Sequence, residues 1–131
     1  MKRAVHILVF AILFIWQLPQ NIIGLCIWAF SREKRLIAYR NYCFAFCVAL
    51  PHVAGGVSLG SFAFIAPACL HNERIIRHEV DGHTVDSKIF GPLYLFIIGI
   101  PSLTHLLLHK PAENYDNFYT ERWANRHAGL Q

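Results

Sequence analysis

The chain has 131 residues, enough for one domain with a modest core, and a formal net charge of +4. Hydrophobic residues make up 55% of it and charged residues only 15%, below the roughly 25% usual in a soluble domain. Its basic residues flank apolar segments, at Lys2-Arg3 and Arg32–Arg35, and form no phosphate-binding stripe; nucleic acid is therefore excluded from the expected partners, and membrane lipid is included.

Two apolar runs open the chain, Ile7 to Trp16 and Ile22 to Phe30, separated by Gln17-Leu18-Pro19-Gln20-Asn21. Each is shorter than the roughly 20 residues that a bilayer crossing needs. The polar and proline residues between them predict a turn. Positive charge at both ends, which prefers the cytoplasm, predicts a helical hairpin over residues 1–35 that dips into the membrane. A signal peptide is one alternative, but no small-x-small cleavage site follows; a soluble hairpin packed on the rest of the chain is the other.

The texture then changes. Tyr42, Phe44, Phe46 and Val48 recur two apart, with Tyr39 three residues before them, followed by Val57, Leu59, Phe62, Phe64 and Ile65. Aromatic and β-branched enrichment between breakers predicts short strands from Leu36 to Ala66, with helix as the rival over Tyr42 to Leu50. Cys26, Cys43, Cys47 and Cys69 form no C-x-x-C pair and read as buried free thiols, which suit a reducing compartment; a Cys43–Cys47 pairing is the alternative.

Asn72 is suited to cap a helix from Glu73 to Phe90, ended by Gly91-Pro92. Leu93 to Ile100 is wholly apolar, Pro101 is expected to interrupt it, and Ser102 to His109 reads as a further helix stopped by Pro111. Asp116 or Asn117 would cap a last helix through Arg126, with Gly129 past its end. The expected architecture is α+β: a membrane helical hairpin (1–35), then a small domain (36–131) with a sheet and helices.

The chemistry centres on Arg77-His78-Glu79-Val80-Asp81-Gly82-His83. A zinc-peptidase helix carries H-E-x-x-H, whose histidines, four apart, lie about 40° apart around an α-helix and reach one metal. The glutamate then acts as general base. Here His78 and His83 are five apart, about 140° around a regular helix. Two outcomes are open. A one-residue π-bulge, eased by Gly82, would bring His78 and His83 together, with Glu79 as catalytic base. A regular helix would instead pair Glu79 with His83 and leave no proton acceptor. Glu121 is the candidate third ligand, and Asn125, one turn on, could orient Glu121 or a ligand histidine. His105 and His109 share metal spacing but lack the glutamate, and read as interfacial.

Several strings resemble a family of small bacterial membrane-associated zincin-like metallopeptidases: Trp16 to Asn21, Gly55-Gly56-Val57-Ser58-Leu59-Gly60, Gly91-Pro92-Leu93-Tyr94-Leu95, Ile98-Gly99-Ile100-Pro101-Ser102 and Phe118 to Asn125. The resemblance spans most of residues 16–129. It implies a zinc metallopeptidase with zincin-like helices, acting on peptides or proteins near the bacterial cytoplasmic membrane; the basic flanks at both ends of the hairpin separately predict the metal-site helix on the cytoplasmic side. The chain departs from the family at the disrupted H-E-x-x-x-H, at Asp86 where a glutamine is usual, and at Asn125 where an aspartate is usual. An inactive zincin-like membrane protein, with an interaction or immunity-type role, is the second expectation.

Overall fold

The computed structural model describes residues 2–32, 35–47, 55–108 and 117–130. It is α+β, with helices on both faces of a four-stranded mixed sheet. Strands β1 (Arg35–Arg40), β2 (Cys43–Cys47), β3 (Gly56–Leu59) and β4 (Phe62–Ile65) lie in the order β1-β2-β4-β3. The β1–β2 and β3–β4 pairs are antiparallel, and β2 and β4 run parallel with Phe44 beside Phe62 and Phe46 beside Phe64. Asn41 and Tyr42 both adopt positive φ in the β1–β2 turn, as a tight hairpin of right-twisted strands requires. Strand therefore prevails over helix across Cys43–Cys47; Val48 to Leu50 lie outside the described residues.

Alternation along β2 and β4 gives the sheet two unlike faces. Phe44, Phe46, Phe62 and Phe64 form one, with the Phe62 and Phe64 rings stacked at 6.2 Å. Cys43, Ala45 and Ala63, all fully buried, form the other and pack on Val80 and Ile76.

The aromatic face is covered by α1 (Lys2–Trp16) and α2 (Leu18–Phe30). Phe10 meets Phe44, Phe14 meets Phe62 and Trp28 meets Phe46. The break between these helices is narrower than the turn expected over Gln17 to Asn21. Only Gln17 leaves the helix, and Leu18-Pro19 opens α2, where proline's missing N–H costs nothing. The helices bend by 99° at that point, a corner and not a closed hairpin. Among the described residues no single helix is long and apolar enough to cross a membrane.

Burial in these helices is inverted. Gln17, Gln20 and Asn21 are fully buried, while Ile7 is 69% and Phe30 88% exposed. The buried amides are tied down: Asn21 Oδ1 accepts from the Ser61 N–H at 2.6 Å, and Gln20 Nε2 donates to Ser87 Oγ at 3.0 Å and to the Gly91 carbonyl at 2.7 Å. Trp16 Nε1 donates to the Lys88 carbonyl, and its ring covers Gly91, whose φ of +53° suits glycine. The string expected to be a turn is thus the polar joint between the N-terminal helices and the rest of the chain.

The other face carries α3 (Glu73–Arg77), a π turn (His78–His83) and α4 (Thr84–Phe90), in place of one regular helix. Asn72 caps α3 as expected, accepting from the Ile75 N–H. After Gly91 the chain continues helically into a second π turn (Leu95–Gly99) and α5 (Ile100–Leu108). Pro101 does not interrupt this path; it occupies the first turn of α5, just after the π turn, where its missing N–H and fixed φ are tolerated. The last helix, α6 (Tyr119–His127), starts after Phe118 with no side-chain cap, so Asn117 does not cap it; Asp116 lies outside the described residues.

Among the cysteines, Cys43 is buried, Cys69 half-buried and Cys26 exposed, so burial holds for only part of the set. Cys43 is free, and Cys43 and Cys47 stand at opposite ends of the extended β2, roughly 13 Å apart at strand rise, too far for a disulfide. Burial pushes the Cys43 thiol up to about 12.

Candidate metal centre

The π turn resolves the spacing problem of the motif. A wider turn absorbs the extra residue and brings His78 and His83 onto one side, their ring centroids 4.8 Å apart. Both rings aim at α6. His78 Nε2 lies 2.9 Å and His83 Nε2 3.5 Å from the same oxygen, Glu121 Oε2. One ligand atom from each of His78, His83 and Glu121 falls within 4.8 Å of the others, and this group could hold a metal ion. Two imidazole nitrogens and a carboxylate oxygen are the donor set and the ligand count of an open catalytic site.

Three features hold the π turn in place. Gly82 sits where a Cβ would lie 2.5 Å from the Ala124 carbonyl oxygen, so the glycine permits close approach of α6 as well as an altered turn. Asp81 points outward, accepting from Asn41 Nδ2 at 2.7 Å with Arg40 Nε 3.1 Å away; the β1–β2 turn thus anchors the bulge. Thr84 Oγ1 donates to the Val80 carbonyl. Such a bond satisfies a carbonyl that a widened turn can leave unpaired.

Further contacts orient the ligands. Asn125 Oδ1 lies 2.8 Å from His78 Nδ1, so Nδ1 carries a proton and Nε2 faces the cluster, the orienting role expected of Asn125. Glu121 Oε1 accepts from Ser102 Oγ at 2.9 Å and from Thr120 Oγ1 at 3.2 Å, which leaves Oε2 to the histidines. Behind His83, Asp86 is fully buried; its Oδ2 lies 3.5 Å from His83 Nδ1 and its Oδ1 2.7 Å from His127 Nδ1. Glu79, 5% exposed, lies against Gly56 of β3, and Ser58 Oγ donates to its Oε2.

Without a metal the cluster neutralises itself. Burial opposes the charged form of His83, but Asp86, Glu121 and Glu79 outweigh it and push the imidazole up to about 10. Burial likewise works against His78, and the Glu121 hydrogen bond and the Glu79 charge reverse it, for a net rise. Burial would raise Glu121, yet the two histidines hold its carboxyl well below the usual range. A buried carboxylate held between two imidazoles is electrostatically ready to receive a cation in place of their protons.

The sequence-based candidates His78, His83, Glu121 and Asn125 therefore converge, and Glu79 lies beside them. Ser58, Ser102, Thr120, Asp86 and His127 were not among the candidates. Asp86 had a legible signal, standing three residues after His83 on the same helical face; the others come from distant segments. His105 is separate: it stacks on Phe118 at 4.2 Å, and His109 lies outside the described residues.

No family model, curated protein or solved structure matches this chain.

Proposed function

We propose that the chain is a membrane-associated zinc metallopeptidase of the zincin type, acting on peptides close to the bilayer. The observation that carries this reading is the convergence of both Nε2 atoms on Glu121 Oε2 through the π turn. Imidazole and carboxylate donors suit zinc among the common divalent metals. Zinc, when bound, supplies a Lewis acid and makes a water reactive at neutral pH. Glu79, held against β3 by Ser58, is the residue whose carboxylate would accept a proton as general base. Asn125 fixes the His78 ring, Asp86 lies 3.5 Å behind His83, and Ser102 and Thr120 fix Glu121.

The membrane association draws on the inverted burial of α1 and α2, whose outward apolar side chains, such as Ile7, Ile15 and Phe30, are exposed while Gln17, Gln20 and Asn21 are buried. Basic residues at Lys2-Arg3 and Arg32 flank that surface and favour the cytoplasmic leaflet of a bacterial inner membrane, with the π turn on the cytoplasmic side. Accessibility of a cysteine placed at Gln131 to an impermeant thiol reagent tests the sidedness, and labelling from outside the cell overturns it.

A second reading, an inactive zincin-like protein with an interaction or immunity-type role, draws on the Ser58–Glu79 hydrogen bond, which occupies one of the two oxygens available to accept a proton. Zinc stoichiometry of detergent-purified protein separates the readings. The metallopeptidase binds one zinc, loses it in His83→Ala, and in Glu79→Gln keeps zinc while losing hydrolysis of a peptide library. Zinc binding with no hydrolysis in the wild type favours the second reading.

A further inference from the structure

Beside the metal cluster lies a cavity of about 350 Å³, within the range of small-molecule and side-chain pockets. Ile23, Val57, Leu59, Leu95, Ile100 and Leu103 give it an apolar wall. Its polar end is formed by Glu79 and His83, with Ser58 and Ser102 reaching from the same wall to Glu79 and Glu121. The cavity thus runs from an apolar interior directly to the groups that would handle the scissile bond.

We propose that this cavity receives a large aliphatic or aromatic side chain next to the scissile bond, in a peptide presented from the lipid surface; the proposal rests on the metallopeptidase reading and names its substrate class. Glu79 and His83 are the charged or titratable groups in the wall, and both face the reacting end. A charged side chain in the apolar part would be desolvated with no partner. An isobutyl or benzyl group would set apolar surface against that apolar wall. The route to the cavity is also apolar. Ile23 belongs to α2, where Ile22 and Leu25 are exposed, and Ile100 and Leu103 of α5, which also line the cavity, are themselves more than half exposed. Apolar side chains that line the pocket are therefore also exposed at the surface, as a substrate already resting in lipid requires.

The test uses three hydroxamates, bearing a methyl, an isobutyl or a benzyl group, titrated calorimetrically into zinc-loaded protein in detergent. The isobutyl and benzyl compounds should bind about ten-fold or more tightly than the methyl compound, since each methylene buried in an apolar pocket contributes a factor of roughly ten or above. Leu103→Trp on α5 and, separately, Ile23→Trp on α2 each enlarge a lining side chain and should collapse that ratio with zinc content unchanged. If the zinc-loaded wild type binds all three equally, or none, the pocket is overturned and the metal centre stands. A ratio that survives in both folded variants overturns it too. A wild type that takes up no zinc overturns the metallopeptidase reading and this proposal with it.

Discussion

The two faces of the sheet solve opposite packing problems with the same four strands. On one, Phe44, Phe46, Phe62 and Phe64 hold α1 and α2 at the distance large rings impose, largely through contacts between aromatic rings. On the other, Cys43, Ala45 and Ala63 are small, so the π turn settles close to the backbone and Glu79 comes up against Gly56 and Ser58. Large side chains give burial; small ones give proximity. The candidate metal centre sits on the face built for proximity, and the N-terminal helices α1 and α2 sit on the face built for burial.

The largest effect should come from the aromatic face. Phe64→Ala removes a ring that is 2% exposed and should cost about 3–5 kcal/mol in denaturant unfolding, while the folded fraction keeps its metal stoichiometry. Loss of metal at equal folded fraction would show that the two faces are not independent.

A smaller change on the opposite side should do the reverse. Gly82→Val drives a side chain into the Ala124 backbone, which cannot move aside as a flexible side chain would. The strain should cost about 1–3 kcal/mol, and separation of Glu121 from the histidines should weaken metal binding by more than about ten-fold in a chelator competition. Unchanged affinity would mean that the close approach of α6 does not set the ligand geometry.

Deleting Asp81 sharpens the role of the π turn. The deletion converts the segment to His-Glu-Val-Gly-His in a regular helix, where the two rings again share a face. It removes the partly exposed Asp81–Arg40 pair, worth about 1 kcal/mol or less, and removes the helix defect with it. Metal stoichiometry should be retained and the unfolding free energy should change by no more than about 1 kcal/mol; loss of metal would show that the bulge itself shapes the site.

The gentlest prediction is a pH slope. His83 is raised from 6.5 to about 10, so its contribution to the metal-free protein is fully present below about pH 6.5 and is lost as pH rises through about 10. His78 shifts in the same direction. Glu121, held low, contributes above its ordinary value of 4.5 and loses that contribution as pH falls towards its folded-state value. Thermal unfolding of metal-free protein should therefore be most favourable to the fold between about pH 4.5 and 6.5 and decline above it. Metal affinity should rise over the same upper range, because binding displaces the imidazole protons. A metal-free protein whose stability is flat from pH 6.5 to 10 would place the histidines out of reach of Glu121.

Local patterns carried much of this. The period-2 aromatics announced β2 and β4, Asn72 and Gly91 bracketed the site helix, and H-E-x-x-x-H with Glu121 and Asn125 marked the cluster. The misreadings came where a residue's partner lies far along the chain. Gln17, Gln20 and Asn21 looked like a polar turn because solvent is the default partner of an amide; their actual partners are Ser61, Ser87, Gly91 and helical carbonyls. Pro101 looked like a breaker because the preceding π turn was not visible locally.

The sequence by itself determined the ingredients: an α+β chain, apolar N-terminal helices, and three potential metal ligands with one extra residue between the histidines. Only the tertiary structure decided between the two geometries open to that extra residue. An isolated helix has no reason to widen, since a π turn loses regular hydrogen bonds. Here the small face of the sheet, the Asp81 anchor on the β1–β2 turn and the Gly82–Ala124 contact with α6 hold it open, and Glu121 draws both imidazoles to one point.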